Sequence, residues 1–336
     1  METWTRMGKA LASHMHLIVP GCVAAGVLFP QIFGPITVAV PTLFAIMTFQ
    51  GALNNTLQQL GQQFRHPRRL LVILGVTLVF MPCLACALAF ILFNGNANLI
   101  TGVVLEYSVP IGVVSFMWVG IFSGNGSLAL AAILTSTVLA PFSIPLTLQL
   151  LLGHVVHIDA ANMMIEMIFM IALPALAGMV LNNVTDGWGH QKLSPALSPA
   201  CRIMLILIIT ANSTRMSDYV LHMTWTRAGV ALFILLFAST GFLWGILAAK
   251  LLHLPHADLV TMCFDCGLRN ISSGAVIASQ YFPGEVVFPV MCGTMFQQIL
   301  ASLFGKAMKH FSDDAKGARA CPTASQRRHA SSARRT

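Results

Sequence analysis

Charge is what this chain has least of. Only 9% of its 336 residues are Asp, Glu, Lys or Arg, against about 25% in soluble domains. No water-soluble core of this size manages with so little, so a soluble globular fold is excluded. Enzyme signatures are missing too. There is no H-E-x-x-H, no serine-nucleophile motif and no second catalytic aspartate to pair with Asp265. The eight cysteines show no zinc spacing. Cys83–Cys86 and Cys263–Cys266 have the C-x-x-C form, but in apolar runs cysteine reads as a small core residue. His154 and His157 form an H-x-x-H with no acidic third ligand fixed nearby. No cofactor, no metal and no nucleic-acid partner is expected. A small-residue cleavage signal after Arg6 and Lys9 is also lacking, so the first apolar run reads as a span and not as a signal peptide.

What is present is hydrophobic: 56% of the residues, gathered into stretches long enough to cross about 30 Å of hydrocarbon. They run near 11–33, 36–57, 70–93, 97–122, 127–152, 161–184, 200–217, 228–251, 257–281 and 284–308. The fold class expected is an all-α polytopic membrane protein with ten transmembrane helices. An even count returns both termini to one side. With that side cytoplasmic, the inner segments hold sixteen of the 19 Lys and Arg, from Arg6 and Arg65 to Arg335. Outside there are only Arg215 and Arg227, and Arg269 lies within a span. That asymmetry is the one the positive-inside rule demands. Residues 1–10 then form a cytoplasmic N-terminus and 11–308 a transporter-like membrane domain in the cell membrane. The polar, basic stretch 312–336 reads as a disordered cytoplasmic tail beside anionic lipid.

Five spans per half mean that a duplicated unit, about 11–153 and about 161–308, would return inverted. Spans four and nine then correspond, and both are interrupted. Pro110 and Gly112 break the fourth, with Glu106 one turn before. Gly267 breaks the ninth within Asp265-Cys266-Gly267-Leu268-Arg269-Asn270. An ionised group at a helix centre costs roughly 2.5–3.5 kcal/mol, so charge there is rarely idle. Matched Gly/Pro interruptions point to a transporter's binding site at mid-membrane. The spacing of Asp265 and Arg269, one helical turn apart, allows mutual neutralisation, and Glu106 is a natural, protonatable partner for Arg269. Glu166, shallow in its span, reads as interfacial.

Several blocks resemble the bile acid:sodium symporter family, within the wider group of bile-acid and arsenite transporters. Phe44 to Leu53 is similar to that family's second helix, and Phe64-Arg65-His66-Pro67-Arg68 to its basic connection. Phe80-Met81-Pro82, Pro110-Ile111-Gly112-Val113-Val114-Ser115, Gly124-Asn125, the run from Thr135 to Pro145 and the Asp265–Asn270 element follow in order. The resemblance implies a panel domain, a core domain with crossing fourth and ninth helices, and organic anions carried with sodium by alternating access. By the same resemblance Asn270 falls at a substrate-contacting position, and Gln297 and Gln298 where polar contacts are often found, while Gly112 and Ser115 belong to the interrupted stretch of span four that is expected to face the crossing. The chain departs where sodium would bind. Thr77, Phe116, Ala129 and Ile133 stand at positions where oxygen ligands are expected, Asp265 shortens a glutamate, and Arg269 replaces a glutamine. A hard cation needs oxygen ligands, and a guanidinium about 4 Å away repels it by some 4 kcal/mol at an effective dielectric near 20.

The expected function is therefore a secondary active transporter of a small organic anion, without two-sodium coupling. Glu106, Gly112, Ser115, Asp265, Arg269, Asn270, Gln297 and Gln298 are its candidate substrate site, and proton coupling through Glu106 is open. A uniporter or channel-like facilitator is the alternative, ahead of a membrane receptor or an intramembrane enzyme. Uptake against a gradient separates the first two.

Overall fold

The computed structural model describes residues 15–56, 67–93, 95–154, 156 and 158–320. The segment 1–10, Phe64-Arg65-His66, His157 and the tail beyond Ala320 lie outside the described residues.

Every extended element described is helical. In chain order these are α1 (Met15–Leu28), α2 (Pro30–Ala52), α3 (Pro67–Leu92), α4 (Ala97–Ser108), α5 (Val114–Ile121), α6 (Gly126–Leu152) and α7 (Ala160–Val184). Then come α8 (Gly189–Thr214), α9 (Ser217–Leu221), α10 (Trp225–Leu251), α11 (His256–Gly267), α12 (Ile271–Tyr281) and α13 (Gly284–Ala320). Seven helical stretches are each long and apolar enough to cross a membrane alone: α2, α3, α6, α7, α8, α10 and Gly284–Met308 of α13. Predicted spans 97–122 and 257–281 are each divided into two half-length helices.

The starts follow from short polar side chains. Asn96 caps α4 by accepting from Leu99 N at 3.0 Å, and Asn125 caps α6 through Leu128 N at 3.1 Å. Asp159 and Asn270 do the same for α7 and α12. Each such cap contributes about 1 kcal/mol and fixes where a helix begins.

Three boundaries differ from the hydropathy reading. The first and second spans part at Phe29, not at Pro35, because Pro30 opens α2 while Pro35 is absorbed in a 3₁₀ stretch, Gly34–Ala39. The seventh begins at Gly189 and not near 200, since the polar lead-in His190–Lys192 winds into a π-helical turn. The last helix runs on to Ala320, past Ser312 where the polar tail begins.

The helices pack as two groups. In one, α8 lies against α1 and α2, and α7 against α2. Polar joints tie these together, such as Gln50 Nε2 to Ser194 Oγ at 2.9 Å and Asn182 Nδ2 to the Asn55 carbonyl at 3.1 Å. In the other, α10 packs along α11, α13 along α4, and α3 along α4. Gly241 and Gly245 let α10 approach so closely that a Cβ at either would strike the Cys266 or Met262 carbonyl. With little hydrophobic drive between helices in lipid, such small-residue contacts carry the packing. The second group encloses both interrupted helices.

Candidate functional site

Helix α4 stops at Ser108 and α11 at Gly267, and the chain is extended between each pair of half-helices. The two extended segments meet as an isolated antiparallel pair, Ile111 with Arg269. Gly112 N donates to the Leu268 carbonyl at 3.0 Å, and Asn270 N to the Pro110 carbonyl at 2.9 Å. Ile111 N donates to Ser136 Oγ at 3.2 Å and Arg269 N to Gln297 Oε1 at 3.0 Å. Backbone freed from a helix inside a membrane must find partners, and these four N–H groups have them. Gly112 is required by closeness: a Cβ there would lie 2.7 Å from the Arg269 carbonyl oxygen.

Three ionisable side chains gather around this crossing, all buried: Glu106, Asp265 and Arg269. Ser115 Oγ donates to Asp265 Oδ1 at 2.7 Å. Arg269 Nη1 donates to the Thr77 carbonyl at 3.0 Å. The origin of that acceptor lies in α3. Its π-helical turn, Val76–Phe80, has Met81 N bound to the Val76 carbonyl, so the next donor in this register would be residue 82. Residue 82 is proline and has no N–H. The Thr77 carbonyl is thus left for the guanidinium. Glu106 lies against Gly293 of α13, where a Cβ would collide with its Oε1.

Ion pairing of Asp265 with Arg269 is not what the structure has. The i,i+4 spacing brings two side chains together only along a helix, and α11 ends between them, at Gly267. The guanidinium turns to α3 instead. Glu106 is likewise not ion-paired with Arg269. Glu106 Oε2, Asp265 Oδ2 and Arg269 Nη2 are each buried without a hydrogen-bond partner. An orphaned buried polar atom costs about 1–3 kcal/mol, more when charged, so three at one point mark a place that a ligand can satisfy.

Of the residues singled out from sequence, Glu106, Gly112, Ser115, Asp265, Arg269 and Gln297 meet at the crossing. Asn270 is there too, with its side chain spent on capping α12 through Ser273 N. Gln298 is elsewhere: it is exposed and accepts from Trp118 Nε1 at 3.1 Å. Glu166 is exposed at the surface, accepting from Tyr281 and Asn162. Sequence reasoning missed Ser136 and the carbonyl of Thr77, and only the proline at 82 hinted at the latter. It also missed an ion pair at the far end of α11. There Arg69 Nη1 lies 2.5 Å from buried Asp258 Oδ2, and Asn125 Nδ2 donates to Asp258 Oδ1 at 2.8 Å. No cluster of three or more metal-ligating side chains exists among the described residues.

Apolar helices, two of them broken at one buried charged point, define a multi-pass membrane transporter. The chain belongs to the sodium bile acid symporter family, whose sequence profile matches residues 40–223. It is 37% identical over 297 residues to "Uncharacterized protein YbaS" of Bacillus subtilis (strain 168), covering 88% of this chain and 97% of that protein. The "Uncharacterized sodium-dependent transporter YocS" of the same organism is 24% identical, over 83% of this chain and 85% of its own length. "Probable sodium/metabolite cotransporter BASS1, chloroplastic" of Arabidopsis thaliana is 25% identical over 304 residues, 88% of this chain and 73% of that protein.

Proposed function

We propose that this protein is a secondary active transporter that moves a small organic anion across the cell membrane by alternating access, without two-sodium coupling. Its ten spans form two inverted five-helix repeats, and both termini lie in the cytoplasm. The observation that carries the reading is Arg269: a buried guanidinium tethered by one N–H to α3 with Nη2 unpaired. An arginine cannot shed its proton in a protein, so it stays a fixed cation at the crossing. The half-helices α5 and α12 begin on either side of it, and their N-terminal dipoles add to the attraction for an anion.

Sodium is named for two of the relatives, and this chain differs where oxygen ligands would hold it. Phe116, Ala129 and Ile133 offer none from their side chains, the Thr77 hydroxyl donates to the Ile73 carbonyl at 2.7 Å, and Arg269 occupies the region with its own charge. Like charges about 4 Å apart at an effective dielectric near 20 repel by some 4 kcal/mol. The same arithmetic applies to an anion entering beside Glu106 and Asp265. Protonation of Glu106, which has no cationic partner among the described residues and a buried, unpartnered Oε2, would relieve that repulsion and couple transport to protons.

Uptake into proteoliposomes at fixed pH, with sodium replaced by choline or potassium, tests this. Equal rates are expected. A strict, saturable sodium requirement in the unmodified protein defeats the proposal.

A further inference from the structure

Three successive side chains at the end of α12 each reach a different helix of the opposing group. Ser279 Oγ meets the side-chain amide of Asn212, on α8, at 3.1 Å. Gln280 Nε2 donates to the Thr37 carbonyl, on α2, at 3.4 Å. Tyr281 Oη donates to Glu166 Oε2, on α7, at 2.7 Å, while Asn162 steadies the other carboxylate oxygen at 3.1 Å. Successive residues on a helix point about 100° apart, so the fan sets the end of α12 against three neighbours at once, with the Gln280 and Tyr281 contacts at the exposed rim. Next along the chain, Gly284 abuts the Arg215 carbonyl just beyond α8, which seats the same corner.

The joints are unequal. Tyr281 to Glu166 is charge-assisted and the shortest, though exposed, and the long Gln280 contact is the weakest. Asn212 is buried, yet its Nδ2 has no partner. A closed joint that leaves a buried donor unpaid is one that another conformation can match. Enclosure also differs on the two sides of the crossing. From Leu99 to Ser108, α4 is buried throughout, as is nearly all of α12 up to Ser279. Beside the Gly112 turn, by contrast, Val113 is 65% exposed, and Phe116 and Met117 of α5 are exposed as well.

We propose that the last turn of α12 is a latch. Ser279, Gln280 and Tyr281 grip α8, α2 and α7 and shut the crossing off from the Glu166 end, and their release opens it there. The structure is the latched state. This inference rests on the alternating-access reading given above, and it deepens that reading by naming the contacts that must break.

The test needs no substrate. Cys292 of α13 is buried beside Gly293, against which Glu106 lies, and serves as a native reporter once the other cysteines are replaced. In the full-length protein, reaction of Cys292 with a membrane-impermeant thiol reagent is timed from the Glu166 side. Tyr281→Phe and Glu166→Gln should each raise the rate about tenfold, the scale of one lost charge-assisted hydrogen bond, and Gln280→Ala should raise it less. Unchanged rates in well-folded Tyr281→Phe and Glu166→Gln proteins overturn the latch. A bifunctional cross-link between cysteines introduced at 166 and 281 should reduce labelling of Cys292 from that side to background, reversibly on cleavage. Undiminished labelling also overturns it. Absence of uptake for any tested anion would instead count against the transporter reading, leaving the latch to stand or fall on labelling.

Discussion

At Gly112 a single methyl group decides whether two unwound segments can meet. The Arg269 carbonyl would lie 2.7 Å from an added Cβ and is backbone, so it cannot swing aside cheaply. Gly112→Ala is expected to destabilise the protein by about 1–3 kcal/mol, the usual cost of overpacking, read as a lower melting temperature in detergent. Arg269 makes a different prediction. Arg269→Gln removes the fixed cation and, being two bonds shorter, gives up the Nη1 contact with the Thr77 carbonyl while keeping a polar amide at the crossing, so folding is checked first by melting temperature. Anion binding should weaken at least about tenfold, the scale of one charge-assisted hydrogen bond; wild-type affinity in an equilibrium binding assay would remove Arg269 from the site. Glu106 is tested by pH. If its carboxyl carries the proton as proposed, anion uptake should rise as the pH on the loading side falls. Glu106→Gln, fixed in the neutral form, should flatten that dependence. A pH profile identical to the unmodified protein's would move the proton elsewhere.

The elements carry their own lesson about what a sequence discloses. Ordinary spans were legible because lipid imposes length and apolarity, and α3, α6, α7 and α10 lie close to where hydropathy puts them. The interruptions were legible as well, since Pro110, Gly112 and Gly267 are residues that release a helix. The direction of Arg269 was not. Residue spacing encodes neighbours only while the helix continues, and the break that exposes the site also dissolves the i,i+4 relation with Asp265. The Thr77 carbonyl was hidden because backbone acceptors leave no mark on composition. The clamp at the far end was hidden because Arg69 and Asp258 are far apart in the chain and opposite in burial. That clamp joins the first turns of α3 and α11 to the cap of α6. Arg69→Met leaves Asp258 buried with Asn125 alone and should cost about 1–3 kcal/mol, while Arg69→Met with Asp258→Asn should recover much of the loss. Additive losses in thermal or denaturant unfolding would show that the two do not act as a pair.

For the whole molecule the strongest sequence-level claim is orientation. The sixteen-to-two division of Lys and Arg predicts that Lys192, in the first, π-helical turn of α8, faces the cytoplasm. A cysteine introduced there should react with an impermeant reagent in inverted vesicles and not in intact cells; the reverse pattern would turn the entire assignment over.

The tether between Arg269 and α3 has a thermodynamic side. A positive charge that never dissociates lends affinity for an anion on both faces of the membrane equally, and so supplies no power. A sodium ion arriving from outside delivers the energy of its own gradient, whereas a guanidinium fixed to the protein has no gradient to spend. At about 2.3 kcal/mol per charge per 100 mV, an interior-negative potential expels a univalent anion by a factor of about fifty. On the proposed anion substrate, transport without a co-travelling proton would run as an overflow valve that empties the cell; with one, the electrical cost is cancelled and accumulation follows the pH difference alone.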